Sequence, residues 1–362
     1  MKILICHSSL GSGGIESMVV NLANEMSKSH DVSVLTIFKP RETDICFKRL
    51  SGNIKTLTLG KNKPGISLSL LLGIIRLFLR NQYDVVHLNG FFYYYFLAVI
   101  LFHHKTKFFY TVHNDAVQEN CLWDRYLIWL KKFCFKYGWM YAITISNTSQ
   151  KSFMDLYHAD NTLIYNGVPK PNCKTIDVSQ YKFTDNTRII LNPARISVQK
   201  NQLMLCRVVT RLLNEGYDCC LLIAGSNDDR RIFSTLEPFF CERIVYLGER
   251  NDAVDIMNSV DAMALSSGWE GMPVTLVESL SVGCVPICTP VGGICDVVKD
   301  NQNGILSSDT SEEAYYLAMK RFLEMKQSKL DEMRNRCRID FSKYDIEMTA
   351  KEYINLFRSK RI

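Results

Sequence analysis

Short, unbroken apolar runs recur along this chain, each followed by a window in which apolar residues fall three and four apart. This alternation limits the fold more than any other feature, because a strand that lacks polar residues on either face must be covered on both. Runs of this kind occupy residues 2–6, 31–37, 84–88, 107–113 and 141–145. Helical windows lie between them: over 15–28, Met18, Val19, Leu22, Ala23 and Met26 share one face, and Ser146 is placed to cap a helix that begins near Asn147. The polar stretch Pro169-Lys170-Pro171-Asn172-Cys173-Lys174 interrupts the series and reads as a linker. The series then restarts, with strands at 188–191, 219–224, 244–247, 261–265 and 285–288, a helix over 199–215, and a mostly helical tail from Glu312. Two such series predict an α/β protein of two Rossmann-like, doubly wound parallel-sheet domains, over 1–168 and 169–342. Ligands of such sheets bind beyond the carboxyl ends of the strands. The strand ends of the two domains are therefore expected to face each other across a cleft.

Several function classes are disfavoured. The glycines of Gly11-Ser12-Gly13-Gly14 lack the third spaced glycine of a dinucleotide fingerprint, and no acid closes the second strand, which argues against a nicotinamide enzyme. The 13 cysteines form no paired C-x-x-C pattern, so zinc is not expected, and Cys284, Cys288 and Cys295 read as small buried apolar side chains. The apolar runs at 66–79 and 91–102 fall short of the roughly 18 to 20 residues that a membrane-spanning helix needs, and read as buried or interfacial helices. Nothing at the start of the chain has the form of a signal peptide. Charge is uneven: residues 1–170 hold 19 Lys and Arg against 11 Asp and Glu, whereas 171–362 hold 24 against 26. The basic half carries the aromatic segment 122–133, with Trp123, Trp129, Lys131, Lys132 and Phe133, which suits either an anionic membrane surface or a core helix with a basic outer side. No nucleic-acid module is visible, so no nucleic-acid partner is expected.

The segment Glu270-Gly271-Met272-Pro273-Val274-Thr275-Leu276-Val277-Glu278 carries the sharpest chemical signal. Pro273 reads as the first residue of a helix, where its missing N–H costs nothing. The N–H groups of Val274 and Thr275 would then point out of the helix start toward an anion. A carboxylate on each side, Glu270 and Glu278, can accept from sugar hydroxyls; a solvated helix with two unrelated acids fits the same spacing. Arg195, on the turn after the strand at 188–191, and Lys200, at the next helix start, can neutralise a diphosphate without a metal. No Asp-x-Asp pair is present to hold one. His113 ends a buried strand and can bond a hydroxyl or move a proton, or serve only the structure. Gly13-Gly14 permits close approach of backbone to a ligand, or forms a plain turn.

In order and spacing these pieces resemble the GT-B glycosyltransferases, and within them the large retaining group called family 4, over nearly the whole chain. The residues that carry the resemblance are Gly13-Gly14-Ile15-Glu16, Tyr83-Asp84-Val85-Val86-His87, Thr111-Val112-His113, Ile145-Ser146, Tyr165-Asn166-Gly167-Val168, Arg195 with Lys200, Ala224-Gly225, Tyr246-Leu247-Gly248, the two glutamates with Gly283, and Val291-Gly292-Gly293. The resemblance implies that Arg195 and Lys200 hold the donor diphosphate, Glu278 the ribose and Glu270 the transferred sugar. It further implies that the backbone of Gly271, Met272, Pro273 and Val274 lines sugar and phosphate, and that His113 contacts the sugar near the reacting centre. Gly14 would lie by the diphosphate or the acceptor, and the base near Gly225 to Asn227 and Gly248 to Arg250. No metal cofactor is expected, and no separate carboxylate nucleophile, since the leaving phosphate would act as base for same-face attack. A final helix over 343–362 would pack back on the first domain. The opening glycines look like those of enzymes that build bacterial capsule, exopolysaccharide or O-antigen repeats. The expected partners are then a nucleotide sugar, UDP-linked, a lipid-linked saccharide acceptor and the anionic inner face of the plasma membrane, with a cytoplasmic peripheral enzyme. His113 is followed by Asn114-Asp115, which leaves the donor sugar open. A sugar-nucleotide epimerase or hydrolase of the same fold, or a non-catalytic binding subunit, is also compatible with these residues.

Overall fold

The computed structural model describes residues 1–61, 67–90, 93–102, 105–119 and 124–360. The starts of the apolar runs at Ile66 and Phe91, the pair His103-His104, and Leu122-Trp123 of the basic aromatic segment lie outside the described residues. The chain divides into two compact units, 1–169 with 344–362, and 170–343.

The first unit is built on seven strands: β1 (Lys2–His7), β2 (Asp31–Phe38), β3 (Lys55–Lys61), β4 (Val85–Asn89), β5 (Lys107–Val112), β6 (Tyr141–Thr144) and β7 (Asn161–Leu163). They lie in the order β3-β2-β1-β4-β5-β6-β7, and every pairing is parallel. β1 pairs on one side with β2 and on the other with β4, Ile3 opposite Val85. The chain thus changes direction across the sheet between β1 and β4, which in such folds opens a crevice at the carboxyl ends of those strands. The core is aromatic. Phe78 meets Phe96 and Phe108 at ring-centroid distances of 6.2 and 6.3 Å, and Phe135 meets Phe153 at 5.0 Å. The helix Ile346–Ser359 completes this unit: Phe357 packs on Phe109 at 4.6 Å, and Val168 N–H donates to Tyr344 O at 3.0 Å. Full burial of Phe357 contributes about 2 kcal/mol to that docking.

The second unit holds β8 (Arg188–Pro193), β9 (Cys219–Ala224), β10 (Ile244–Gly248), β11 (Ala262–Leu265), β12 (Val285–Cys288) and β13 (Ile305–Leu306). Their order is β10-β9-β8-β11-β12-β13, again all parallel. Its core is mostly aliphatic, with Ile190, Leu205, Val209, Leu221, Ile287 and Met319 all buried. The reversal here lies between β8 and β11.

The fold adds three strands that the sequence did not show and corrects two expectations. β3, β7 and β13 carry too few residues, or too many exposed ones, to stand out as apolar runs; the burial of β3 alternates irregularly because it is an edge strand. Cys295 is exposed rather than buried, as is Cys241, whereas burial pushes the Cys284 and Cys288 thiols far up from their usual range. Lys131 does not belong to a basic outer face. It is 2 % exposed, with its ammonium 4.2 Å from the Tyr110 ring centroid, 5.0 Å from Tyr93 and 5.5 Å from Tyr157.

Candidate functional site

In the second unit, the loops that leave β8 and β11 meet at the reversal point, and they bring most of the candidate residues together. Glu270, in the loop after β11, is buried, yet its carboxylate is richly partnered. Lys200 Nζ donates to Oε1 at 2.5 Å, Ser267 Oγ donates to the same oxygen at 2.6 Å, and Gln199 Nε2 reaches Oε2 at 3.4 Å. The Gln199 side chain also donates to Trp269 O at 2.9 Å, and Gly268 N–H donates to Gln199 O at 2.8 Å, so the two loops are tied by backbone as well as by charge. Such a carboxylate retains free lone pairs, and an ammonium has three N–H bonds of which Glu270 takes one. Lys200 can therefore hold a phosphate oxygen without leaving Glu270.

Lys200 is not on a helix. It stands in the turn that precedes the helix Gln202–Asn214, because Asn201 adopts a left-handed conformation (φ 49°) as that helix's N-cap. Arg195 follows β8, is exposed, and its guanidinium makes no ion pair or hydrogen bond among the described residues. Pro273 is the N-cap rather than the first helical residue: its ψ of 125° is extended, and the helix runs Val274–Val282. No side chain caps that helix, so its first N–H groups remain an anion site of the kind expected. Met272 and Val274 are buried beside it, and Glu278 lies half-buried one turn further on.

Glycine shapes this site at two places. Gly292 (φ 53°) lies so close to the Glu270 carbonyl that any Cβ would overlap it, and Gly293 N–H donates to Gly271 O at 2.6 Å. Gly225, after β9, packs against the Ala194–Arg195 backbone so closely that a Cβ would strike it. Gly225 N–H also donates to Gly248 O at 2.8 Å, and Tyr246 OH donates to Gly225 O at 2.9 Å. Arg250, two residues on, is held by Asp252 through two bonds of 2.8 and 2.5 Å.

In the first unit, the reversal point gathers His7, Asn89 and His113. His113 follows the last residue of β5 and is buried, with Nε2 2.8 Å from Asn89 Oδ1. Burial, with His7 and His87 nearby, holds its imidazole well below the usual value, so it is neutral at physiological pH. Its backbone N–H donates to Glu119 Oε2 at 3.1 Å, while Tyr110 OH donates to Glu119 Oε1 at 2.8 Å. Burial pushes the Glu119 carboxyl up, and Lys131, Tyr110 and the backbone of His113 and Asn114 act in the opposite sense. Gly14 opens the helix Gly14–Ser27, and the Glu16 carboxylate folds back over Gly13, where a Cβ would collide with it. That helix start thus already has a negative group beside it.

Sequence reasoning missed Ser267, Gln199, Asn89 and Glu119. Ser267 and Asn89 carried the same signal as His113, a polar residue at the carboxyl end of a buried strand. Glu119 carried none, since nothing local marks a loop acid as buried.

Two family models match the chain: one described as Glycosyltransferase Family 4 over residues 12–170, and one described as Glycosyl transferases group 1 over 174–340. An uncharacterized glycosyltransferase of Methanocaldococcus jannaschii is 22% identical over 297 residues, 77% of this chain and 76% of that one. A Campylobacter jejuni protein is 23% identical over 318 residues, 84% of each chain; it is named GalNAc-alpha-(1->4)-GalNAc-alpha-(1->3)-diNAcBac-PP-undecaprenol alpha-1,4-N-acetyl-D-galactosaminyltransferase. Among solved structures, HepE of Anabaena in complex with UDP and glucose superimposes with a TM-score of 0.81 at 16% identity, covering 99% of this chain and all of that one.

Proposed function

This chain belongs to the GT-B glycosyltransferases of the family 4 type, and from that premise we propose that it moves a hexosyl or N-acetylhexosaminyl unit from a UDP-sugar to a lipid-linked saccharide in the building of a bacterial surface polysaccharide. The observation that carries the donor reading is the buried Glu270–Lys200 pair beside the uncapped start of the helix Val274–Val282. Lys200 and the free guanidinium of Arg195, with the N–H groups of Val274 and Thr275, supply positive charge for a leaving diphosphate. No metal is required in this scheme, because those groups take its electrostatic part. Glu270 accepts from the sugar hydroxyls, and Glu278 from the ribose. The base rests near Gly225 and Gly248, with Gly271 and Met272 lining the sugar. His113 and Gly14, in the first unit, serve the sugar and the acceptor side. Transfer proceeds with retention, the leaving phosphate taking the acceptor proton.

The acceptor reading rests on the lipid-linked substrates in the names of relatives such as the Campylobacter protein, and on the surface of the first unit. Among the described residues no helix is long and apolar enough to cross a membrane. Yet Trp129 is 61 % exposed, and Phe133, Tyr137 and Trp139 form an exposed cluster, Phe133 lying 4.4 Å from Tyr137 and 5.0 Å from Trp139. With the exposed Lys136 beside them, these rings suit the boundary of an anionic bilayer.

Calorimetry and thermal shift with UDP, GDP and ADP sugars, with and without EDTA, test the donor site. UDP-sugars are expected to raise the melting temperature equally under both conditions. Glu278→Ala is expected to lower turnover by at least about tenfold with the melting temperature retained. Wild-type turnover in Glu278→Ala together with wild-type turnover in Lys200→Ala would remove the assignment of this site.

A further inference from the structure

The ring of His113 is positioned by one group whose orientation its surroundings fix. Asn89, at the end of β4, is 3 % exposed. Its side-chain nitrogen faces two carbonyl oxygens, those of Cys6 and His87, each at 3.5 Å. A flipped amide would set oxygen against both, so Oδ1 must be the atom turned toward His113. An amide oxygen only accepts, and the 2.8 Å contact with His113 Nε2 therefore places the imidazole proton on Nε2. In a neutral ring the lone pair then stands on Nδ1. Nδ1 has no protein partner among the described residues and is not among the buried unpartnered atoms. Asn89 is itself anchored, since its backbone oxygen accepts from His7 Nδ1 at 2.9 Å. From the other side, Glu119 holds the His113 backbone N–H.

We infer that Asn89 is a positioning residue that locks His113 as the Nε2–H tautomer, so that the protein offers an incoming ligand a hydrogen-bond acceptor at Nδ1 and selects a ligand hydroxyl that donates to it. This deepens the glycosyl-transfer reading and rests on it for the identity of the ligand, a sugar hydroxyl. The titratable groups around the ring are His7 on β1, His87 on β4 and Glu119 beyond β5. None of them is hydrogen-bonded to the ring nitrogens, so Asn89 alone sets the tautomer.

The test is long-range 1H–15N correlation NMR on the full chain without substrate, with the His113 signals assigned by their loss in His113→Gln. The expected wild-type pattern is a protonated Nε2 and an unprotonated Nδ1, unchanged from pH 6 to 8.5. Asn89→Leu is expected to give averaged or Nδ1–H signals, with kcat down by about tenfold or more and the donor KM little changed. Asn89→Asp keeps an acceptor at the same place; it is expected to restore the tautomer and most of the rate at high pH, while adding an acid limb to the pH profile as the carboxylate stabilises the imidazolium. A wild-type ring in the Nδ1–H form, or an Asn89→Leu ring that keeps the Nε2–H form, overturns the inference. The spectra decide this whether or not any sugar nucleotide is turned over, so failure of the transfer reading remains distinguishable.

Discussion

Replacement of Lys200 by methionine keeps the side-chain stem and removes only the charge that meets Glu270. The pair lies nearer to a buried than to a surface ion pair, with side-chain exposures of 19% and 5%. Exposed pairs contribute about 0 to 1 kcal/mol, whereas removal of one partner from a buried pair costs roughly 3 to 5, because a charge is left behind in poor solvent. Glu270 would keep Ser267 at 2.6 Å and Gln199 at 3.4 Å, which softens the loss. Lys200→Met is therefore expected to cost about 3 kcal/mol, at the low end of that range. Glu270→Gln leaves an ammonium that can turn to water and should cost about 1 kcal/mol, and the double variant no more than that. The coupling between the two residues is thus about 3 kcal/mol. Native-state hydrogen exchange read on peptides spanning residues 188–210 and 262–290 suits the measurement, since the chain has two compact units and global unfolding need not be two-state. Additive single effects below about 1 kcal/mol would refute the reasoning, because they would mean that Glu270 is solvated as a surface carboxylate is.

Two further outcomes follow from the first unit. Burial lowers the His87 imidazole to about 3, with Nε2 2.7 Å from Thr111 Oγ1 and the Tyr353 ring at 5.1 Å. Below about pH 6.5 the unfolded chain takes up a proton here that the folded chain refuses, so stability falls with pH from 6.5 toward 3, by about 2 kcal/mol at pH 5. Comparison of His87→Gln with wild type at pH 7.5 and pH 5 should show their stability difference shift by that amount in favour of the variant, and parallel acid limbs would contradict it. For the membrane surface, flotation with anionic but not neutral liposomes is expected, weakened by salt and by Trp129→Ser with Phe133→Ser. Equal flotation of the double variant would remove the aromatic cluster from that role.

Periodicity is a local property, and it was enough to place most of the strands, the break near residue 169 and the loop that holds Glu270 and Glu278. A buried parallel strand shows itself by composition alone, whatever lies next to it. Partnership depends on which strands become neighbours. β1 and β4 sit side by side although His7 and Asn89 are 82 positions apart, and Lys200 meets Glu270 across a separation of 70. No window of sequence contains both members of such a pair. The same reason explains Lys131: its spacing marks a basic face, but three tyrosines from two helices and a strand elsewhere in the first unit close around it. Sequence thus determined the two sheets and the carboxylate-bearing loop. Tertiary structure alone decided that Glu270 is neutralised by Lys200 and that His113 is held neutral with one nitrogen open, because burial and the proximity of charge arise only when distant strand ends are brought to one place.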